Sequence, residues 1–216
     1  MELLNNFISI VTIGNFNPAI LTPSFLIRYC DFSKELELKK GQTTPVVSKL
    51  DYENILFNMD LGRFQVLEKG IQDTKNVKIL KYLLKYFEIL KYTPIYIMGI
   101  NFNSTILNID TNVLFVLDDG EKLKEFFNVE NIIYTNTVKI GKSSIARISW
   151  ELTFMSVDGY KEHISIKYEG NDLLINQNFE IGDINTESVK VNRIINEYLE
   201  LEKLHVSLLE YLIMDD

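Results

Sequence analysis

The chain has 216 residues, 22 of them basic and 30 acidic, for a formal net charge of −8. Apolar residues make up 46%, which allows a stable core and excludes disorder over most of the length. One cysteine, Cys30, excludes a disulfide framework, and the acidic balance argues against a nucleic-acid module, whose affinity rests on phosphate contacts.

The chain starts MELLNNFISIVTIG. Glu2 stands where a signal peptide would be basic, so no such leader is expected. No apolar run reaches the ~18 residues of a membrane span. One free thiol suits a reducing compartment, and a cytoplasmic location is expected. The richness in Asn, Lys, Ile and Tyr suggests an AT-rich bacterial or phage genome.

Phe7 to Ile13 reads as a strand, and Pro23 opens a short helix around Phe25 to Tyr29. Val46 to Tyr52, Ile55 to Met59 and Phe64 to Glu68 read as three strands, the last two joined at Leu61-Gly62. A helix is expected from about Asp73 to Lys91. Leu80, Leu83, Leu84, Phe87 and Leu90 form its inward face, with Lys75, Lys78, Lys81 and Lys85 opposite. Pro94 stops it. Ile95 to Phe102 is a strand with Tyr96, Met98, Ile100 and Phe102 on one face.

Val113 to Leu117 is a short apolar run. Asp118 or Asp119 caps a helix through Phe127, and Ile132 to Ile140 is a further strand. From Ser144 to Phe154 the pattern alternates, with Ala146, Ile148, Trp150, Leu152 and Phe154 on one face. Asp158-Gly159 offers a hairpin turn. The next strand places Ile164, Ile166 and Tyr168 opposite His163, Ser165 and Lys167. Gly170-Asn171 turns the chain into a third strand with Leu173, Ile175, Phe179 and Ile181.

A long helix follows, capped by Asn185 or Thr186. Its stripe is Ile194, Tyr198, Leu201, His205, Leu208 and Leu212. At about 27 residues it would run roughly 40 Å. A strand of about ten residues covers only some 33 Å, so the helix is expected to meet something beyond its own sheet.

The expected class is α+β: antiparallel β-meanders packed with two main amphipathic helices. Both halves, 1–110 and 111–216, read as a meander followed by a helix. A pseudo-duplicated sandwich with a boundary near Thr105 to Asp119 and a single shared core both fit this order.

Two signatures carry a resemblance. One is Asn15-Phe16-Asn17-Pro18 followed by Pro23-x-Phe25-Leu26. The other is Tyr92-Thr93-Pro94-Ile95 running into Met98-Gly99-Ile100-Asn101. Together they resemble a family of uncharacterised bacterial proteins with N-F-N-P near the start and T-P-(x)4-G-I-N mid-chain. The element order is similar to a second, sporadically distributed bacterial family of unknown function, which ends in a helix with a Leu-His pair, as Leu204-His205 does here. The resemblance implies a fold order and a place in an anti-phage or mobile-element system. It carries no activity.

The chemistry-bearing residues read blandly. Gly141-Lys142-Ser143 lacks the glycine of a phosphate loop five positions earlier, where Asn136 stands, so it reads as a hairpin turn. Zinc needs more ligands than His163, His205 and Cys30 supply. Asp118-Asp119 reads first as a helix cap, with the oxygen-ligand magnesium site of a metal-dependent hydrolase as the alternative. No histidine stands beside a nucleophile in a sharp glycine turn. Cys30 reads as a buried, inert thiol. No catalytic residue, cofactor or metal is expected.

Three surfaces remain. Tyr198, His205, Leu208 and Leu212 of the last helix suit a homo-oligomer or protein-partner interface. Asn15, Asn17, Asn101 and Asn103 suit a polar pocket at strand ends, where amides read a small ligand. Lys75, Lys78, Lys81 and Lys85, with Tyr82 and Tyr86 beside them, suit an anion or RNA surface, against the net charge. The leading expectation is a non-enzymatic binding or assembly subunit. The alternative is a nucleic-acid or small-ligand binder.

Overall fold

Period-two alternation runs through most of the chain, and ten strands result. They are β1 (Glu2–Gly14), β2 (Leu38–Thr43), β3 (Val47–Tyr52), β4 (Ile55–Asp60), β5 (Arg63–Ile71), β6 (Ile95–Leu107), β7 (Ile133–Ile140), β8 (Ile145–Met155), β9 (Lys161–Glu169) and β10 (Asp172–Gly182). Helices α1 (Pro23–Tyr29), α2 (Lys78–Ile89), α3 (Gly120–Phe127) and α4 (Lys190–Met214) complete a mixed α+β fold. The computed structural model describes residues 2–109, 120–127, 133–140, 145–155, 160–182 and 190–214. The Asp118-Asp119 cap, the Gly141-Lys142-Ser143 and Asp158-Gly159 turns and the Asn185 or Thr186 cap lie outside them. Among the described residues, no helix is long and apolar enough to cross a membrane.

Contacts group the chain into two units. The first comprises residues 7–100 and 181–200, and the second comprises 1–6, 101–180 and 201–216. In the first unit the hydrogen-bonded order is β2-β3-β4-β5-β1-β6. The pairs from β2 to β5 are antiparallel, with Leu50 opposite Phe57 and Phe57 opposite Val66. β2 has the sequence LKKGQT and escapes sequence reading, because it lies at the strand-order edge and buries none of its residues. Lysines there discourage further pairing along the edge.

Aromatic rings fill this unit. Phe32 packs on Tyr52 at 4.5 Å, on Tyr82 at 4.9 Å and on Phe57 at 5.5 Å between centroids. Tyr86 meets Phe64 at 4.8 Å and Phe87 at 5.3 Å. Helix α2 therefore turns Ile79, Tyr82, Leu83, Tyr86 and Phe87 inward, while Leu80, Leu84 and Leu90 are only half-buried. This corrects the expected leucine face. Large flat rings displace the leucines from the centre because each buries more apolar area.

The start of α2 also differs from the expectation. Asp73 caps a short 3-10 turn (Thr74–Asn76) instead, accepting from Lys75 N at 3.0 Å. Val77 at the true N-cap offers no side-chain bond. Glu68 of β5 does the work from across the fold. Its Oε2 accepts from Lys78 N at 2.6 Å and Ile79 N at 3.1 Å, placing a carboxylate at the positive end of the helix.

In the second unit the order is β1-β6-β10-β9-β8-β7. The meander is registered with Trp150 opposite Ile166 and Ile166 opposite Ile175. Its core is mostly aliphatic: Ile148, Leu152, Ile164, Leu173 and others gather with Trp150, Leu208, Leu209 and Leu212. The expected inward faces of these strands hold. Gly170 sits at φ +68° in the β9–β10 turn, which a residue without Cβ adopts freely.

Candidate functional site

The Asn15-Phe16-Asn17-Pro18 turn is fixed by its backbone. Gly14 N donates to Gly62 O at 3.0 Å, Asn15 N to Pro94 O at 3.1 Å and Phe16 N to Leu61 O at 3.0 Å. Gly14 has to be glycine, because a Cβ there would run into the backbone carbonyl oxygen of Pro94. Phe16 is buried edge-on against Phe64 at 5.9 Å. Asn17 caps a 3-10 turn by accepting from Ala19 N at 3.2 Å, with Pro18 in the position that needs no N–H.

The facing wall is the end of α2. Leu90 N donates to Tyr86 O at 2.9 Å, Thr93 N donates to Leu90 O at 2.9 Å, and Pro94 then ends the helical path. Asn15 Nδ2 donates to Tyr96 Oη at 2.9 Å. Between the walls lies a pocket of about 440 Å³, lined by Asn15, Asn17, Ile89, Lys91, Tyr92 and Pro94 among others. The two sequence signatures, 75 positions apart from Asn17 to Tyr92, meet here.

Around the pocket the surface is unusually apolar. Tyr92 is 68% exposed, Ile89 48% and Tyr96 43%. Lys91 Nζ lies over the Tyr92 ring at 4.9 Å. Asn15 and Asn17 are exposed, and beyond the bonds just named the Asn17 amide nitrogen is a donor and the Asn15 amide oxygen an acceptor. Among the described residues, Lys91 is the one charged residue of the lining, and neither a carboxylate nor an imidazole joins it. The wall can recognise polar edges and stack an apolar group. It offers no acid–base pair.

Sequence reading located half of this site. Asn15 and Asn17 line it. Asn101 and Asn103 do not: they belong to the second unit, where Asn103 Oδ1 accepts from Asn6 Nδ2 at 3.0 Å. Tyr92 belongs to the second signature but, like Ile89, is not among the candidate site residues, although an exposed aromatic between helix end and proline is a readable signal.

The lysine surface is also corrected. Lys75 lies in the 3-10 turn and not in α2, whose first residue is Lys78. Lys81 pairs with Asp31 at 3.7 Å and Lys85 with Glu88 at 2.7 Å, so carboxylates already balance two of the four. Tyr82 is 7% exposed and Tyr86 1%, which leaves no stacking platform beside the lysines.

The final helix is corrected in the same way. Tyr198, His205, Leu208 and Leu212 have no exposed surface. Leu208 and Leu212 pack into the aliphatic core, and Tyr198 Oη donates to Thr74 O. These four side chains cover the chain's own interior and are not available as a docking face.

Cys30 is buried, and loss of solvation, with Asp31 beside it, pushes its thiol up to about 12. It is not a nucleophile. His163 Nδ1 is 2.9 Å from Thr153 Oγ1. Among the described residues, no group of three or more His, Cys, Asp or Glu could hold a metal ion. A second pocket of about 710 Å³ beside α1 includes Ser24, Arg28, Tyr29 and Lys34. In comparisons with known proteins, no family model and no curated sequence matches the chain.

Proposed function

We propose that the protein works by binding rather than catalysis, and that its recognition site is the pocket between the Asn15–Pro18 and Tyr92–Pro94 turns. One observation carries this reading: the two turns that stand out in the sequence converge on one cavity rimmed by exposed apolar side chains. Its volume of about 440 Å³ is in the range of small-molecule sites. The occupant is a small molecule or a short peptide segment. It carries an amide or carbonyl edge for Asn15 and Asn17 and an apolar or aromatic group for Tyr92 and Ile89. Assembly with a partner then runs through this rim and not through α4.

Native mass spectrometry of the protein purified from its host tests this. A bound species should be retained by the wild type and lost by Tyr92→Ala combined with Asn17→Ala, with the thermal transition of the variant unchanged. A bound mass of a few hundred daltons identifies a small ligand, and a larger one identifies a peptide or protein partner. Retention of the same species by the double variant would remove the pocket from consideration.

A further inference from the structure

The second unit threads a file of polar side chains through its interior. Glu162 of β9, Gln177 of β10, His205 of α4 and Ser104 of β6 are each at most 2% exposed, and Asn5 of β1 closes the file. The links are Glu162 Oε1 to Gln177 Nε2 at 2.5 Å, Gln177 Oε1 to His205 Nδ1 at 2.7 Å and His205 Nε2 to Ser104 Oγ at 3.0 Å. In the last link, Ser104 Oγ donates to Asn5 Oδ1 at 3.0 Å, so the arrangement with Glu162 ionised has the Asn5 amide turned by half a rotation. Phe102 stacks on the imidazole at 4.8 Å and 17°, which restricts rotation of the ring.

Counting protons along the file leaves two complete arrangements. A neutral imidazole has one N–H, a serine one O–H, and each amide a donor end and an acceptor end. Turning an amide by half a rotation exchanges those ends in the same space. With Glu162 ionised, Gln177 donates to it and accepts from Nδ1–H of His205. The bare Nε2 accepts from Ser104, and Asn5 presents its NH2 to the Ser104 oxygen. With Glu162 protonated on Oε1, every link reverses. Glu162 donates to the Gln177 oxygen, Gln177 donates to Nδ1, Nε2–H donates to Ser104, and Ser104 donates to the Asn5 oxygen. A mixed arrangement either leaves a link without a proton or puts two protons on the ring, whereas a proton on Glu162 Oε2 would keep the first arrangement, so the reversal requires the proton on Oε1, the oxygen that faces Gln177.

We infer that this file is a proton-set relay, in which one proton taken from solvent by Glu162 reverses all four hydrogen bonds and moves the ring proton of His205 from Nδ1 to Nε2. Burial supports the assignment of the titrating group. It pushes the Glu162 carboxyl up to about 7 and the His205 ring down to about 3, so the ring stays neutral while the carboxyl changes charge.

Among the described residues, Glu162 is the charged group that takes part in the four links. Glu202, one turn before His205 on α4, is buried and has an interaction of its own. β8 and β10 place Phe154 and Phe179 opposite Glu162. Glu151, His163 and Glu180 alternate onto the other sheet face. α3 brings Lys124 and Glu125, half-buried and exposed, and β1 brings Glu2, exposed. The relay ties four strands to α4, so the protonation of one carboxyl sets how these elements are bonded together.

Long-range nitrogen–proton correlation spectra of the uniformly 15N-labelled full chain, recorded from about pH 5.5 to about 8.5, read the tautomer directly. His205 should remain neutral and pass from Nε2–H to Nδ1–H with a midpoint near the Glu162 value. In Glu162→Gln its tautomer should be independent of pH. A single tautomer in the wild type across the range, an imidazolium, or a switch that persists in Glu162→Gln would each overturn the relay. If the variant does not fold, the wild-type titration decides by itself.

Discussion

Rings fill the unit of residues 7–100 and 181–200, whereas branched aliphatics fill the other, with polar groups strung between them. The difference shows where each unit keeps its hydrogen bonds. In the ring-rich unit the polar side chains bond mostly to the backbone. Glu68 caps α2, Ser48 Oγ donates to Leu21 O at 2.6 Å, and Thr22 Oγ1 accepts from Phe25 N at 3.1 Å. The rings themselves bring hydroxyls that are poorly served: Tyr86 Oη reaches only Met59 Sδ at 4.0 Å, and Tyr52 Oη finds no partner. In the aliphatic unit the polar groups sit centrally and satisfy one another. A stacked aromatic core tolerates a weakly bonded hydroxyl at its edge. An aliphatic core that takes in a carboxyl must supply it with a partner.

The comparison breaks hardest at a ring. Phe57→Ala should cost about 4 kcal/mol, the range for an emptied aromatic site. Urea denaturation measures it, and a cost below about 1 kcal/mol would mean that the ring cluster does not hold the first unit. Gly14→Ala should cost about 3 kcal/mol, the upper end of overpacking penalties, because the backbone of Pro94 cannot withdraw without opening the pocket. The same titration reads it, and loss of ligand retention should accompany it.

The polar file makes a pH-dependent prediction. Glu162 is raised from 4.5 to about 7, so the folded chain holds a proton in this window that the unfolded chain releases. Its contribution is therefore present below pH 4.5 and lost as pH rises to about 7. His205 is lowered from 6.5 to about 3, so its contribution is present above pH 6.5 and lost as pH falls toward 3. Between these limits the two slopes oppose each other. Glu162→Gln removes the first slope and leaves the second. Relative to the wild type it should gain stability from pH 4.5 to about 7, by at most ~1.4 kcal/mol per pH unit. A constant difference between the two proteins across that window would place the proton elsewhere.

Two smaller effects sharpen the contrast. Glu68→Ala should cost about 1–2 kcal/mol, as the first turn of α2 loses its acceptor, and helix amides near Lys78 should exchange faster. Tyr52→Phe should be neutral or stabilising by up to about 1 kcal/mol, because it deletes a buried hydroxyl with no partner. A clear loss there, read as a lower denaturation midpoint, would show that this hydroxyl is bonded in solution.

Alternation alone placed β8, β9 and β10, with Trp150, Ile166 and Ile175 inward, because burial on one face of a sheet imposes a period of two. Turn signals and apolar runs placed the strands from Val47 to Ile71, Pro23 marked α1, and the helical spacing of the apolar stripe placed α4. Asn15 and Asn17 were legible as a turn next to a strong strand. The companion residues were not. Ile89 and Tyr92 reach the same pocket through the end of α2, and nothing in local spacing says where a helix end will rest. Gln177 and Glu162 occupy inward positions of their strands, which is a readable anomaly. Their partners Ser104 and His205, respectively 73 positions before and 28 after Gln177, are not readable from it.

The sequence by itself determined the class, most elements and the inward face of nearly every strand, because these follow from local period and turn chemistry. Only the tertiary structure decided how α2 rolls, which carboxylate caps it and what the apolar stripe of α4 covers. Those outcomes depend on which side chains meet across long loops. The free energy of filling a particular interior is a property of the assembled set and not of any one segment.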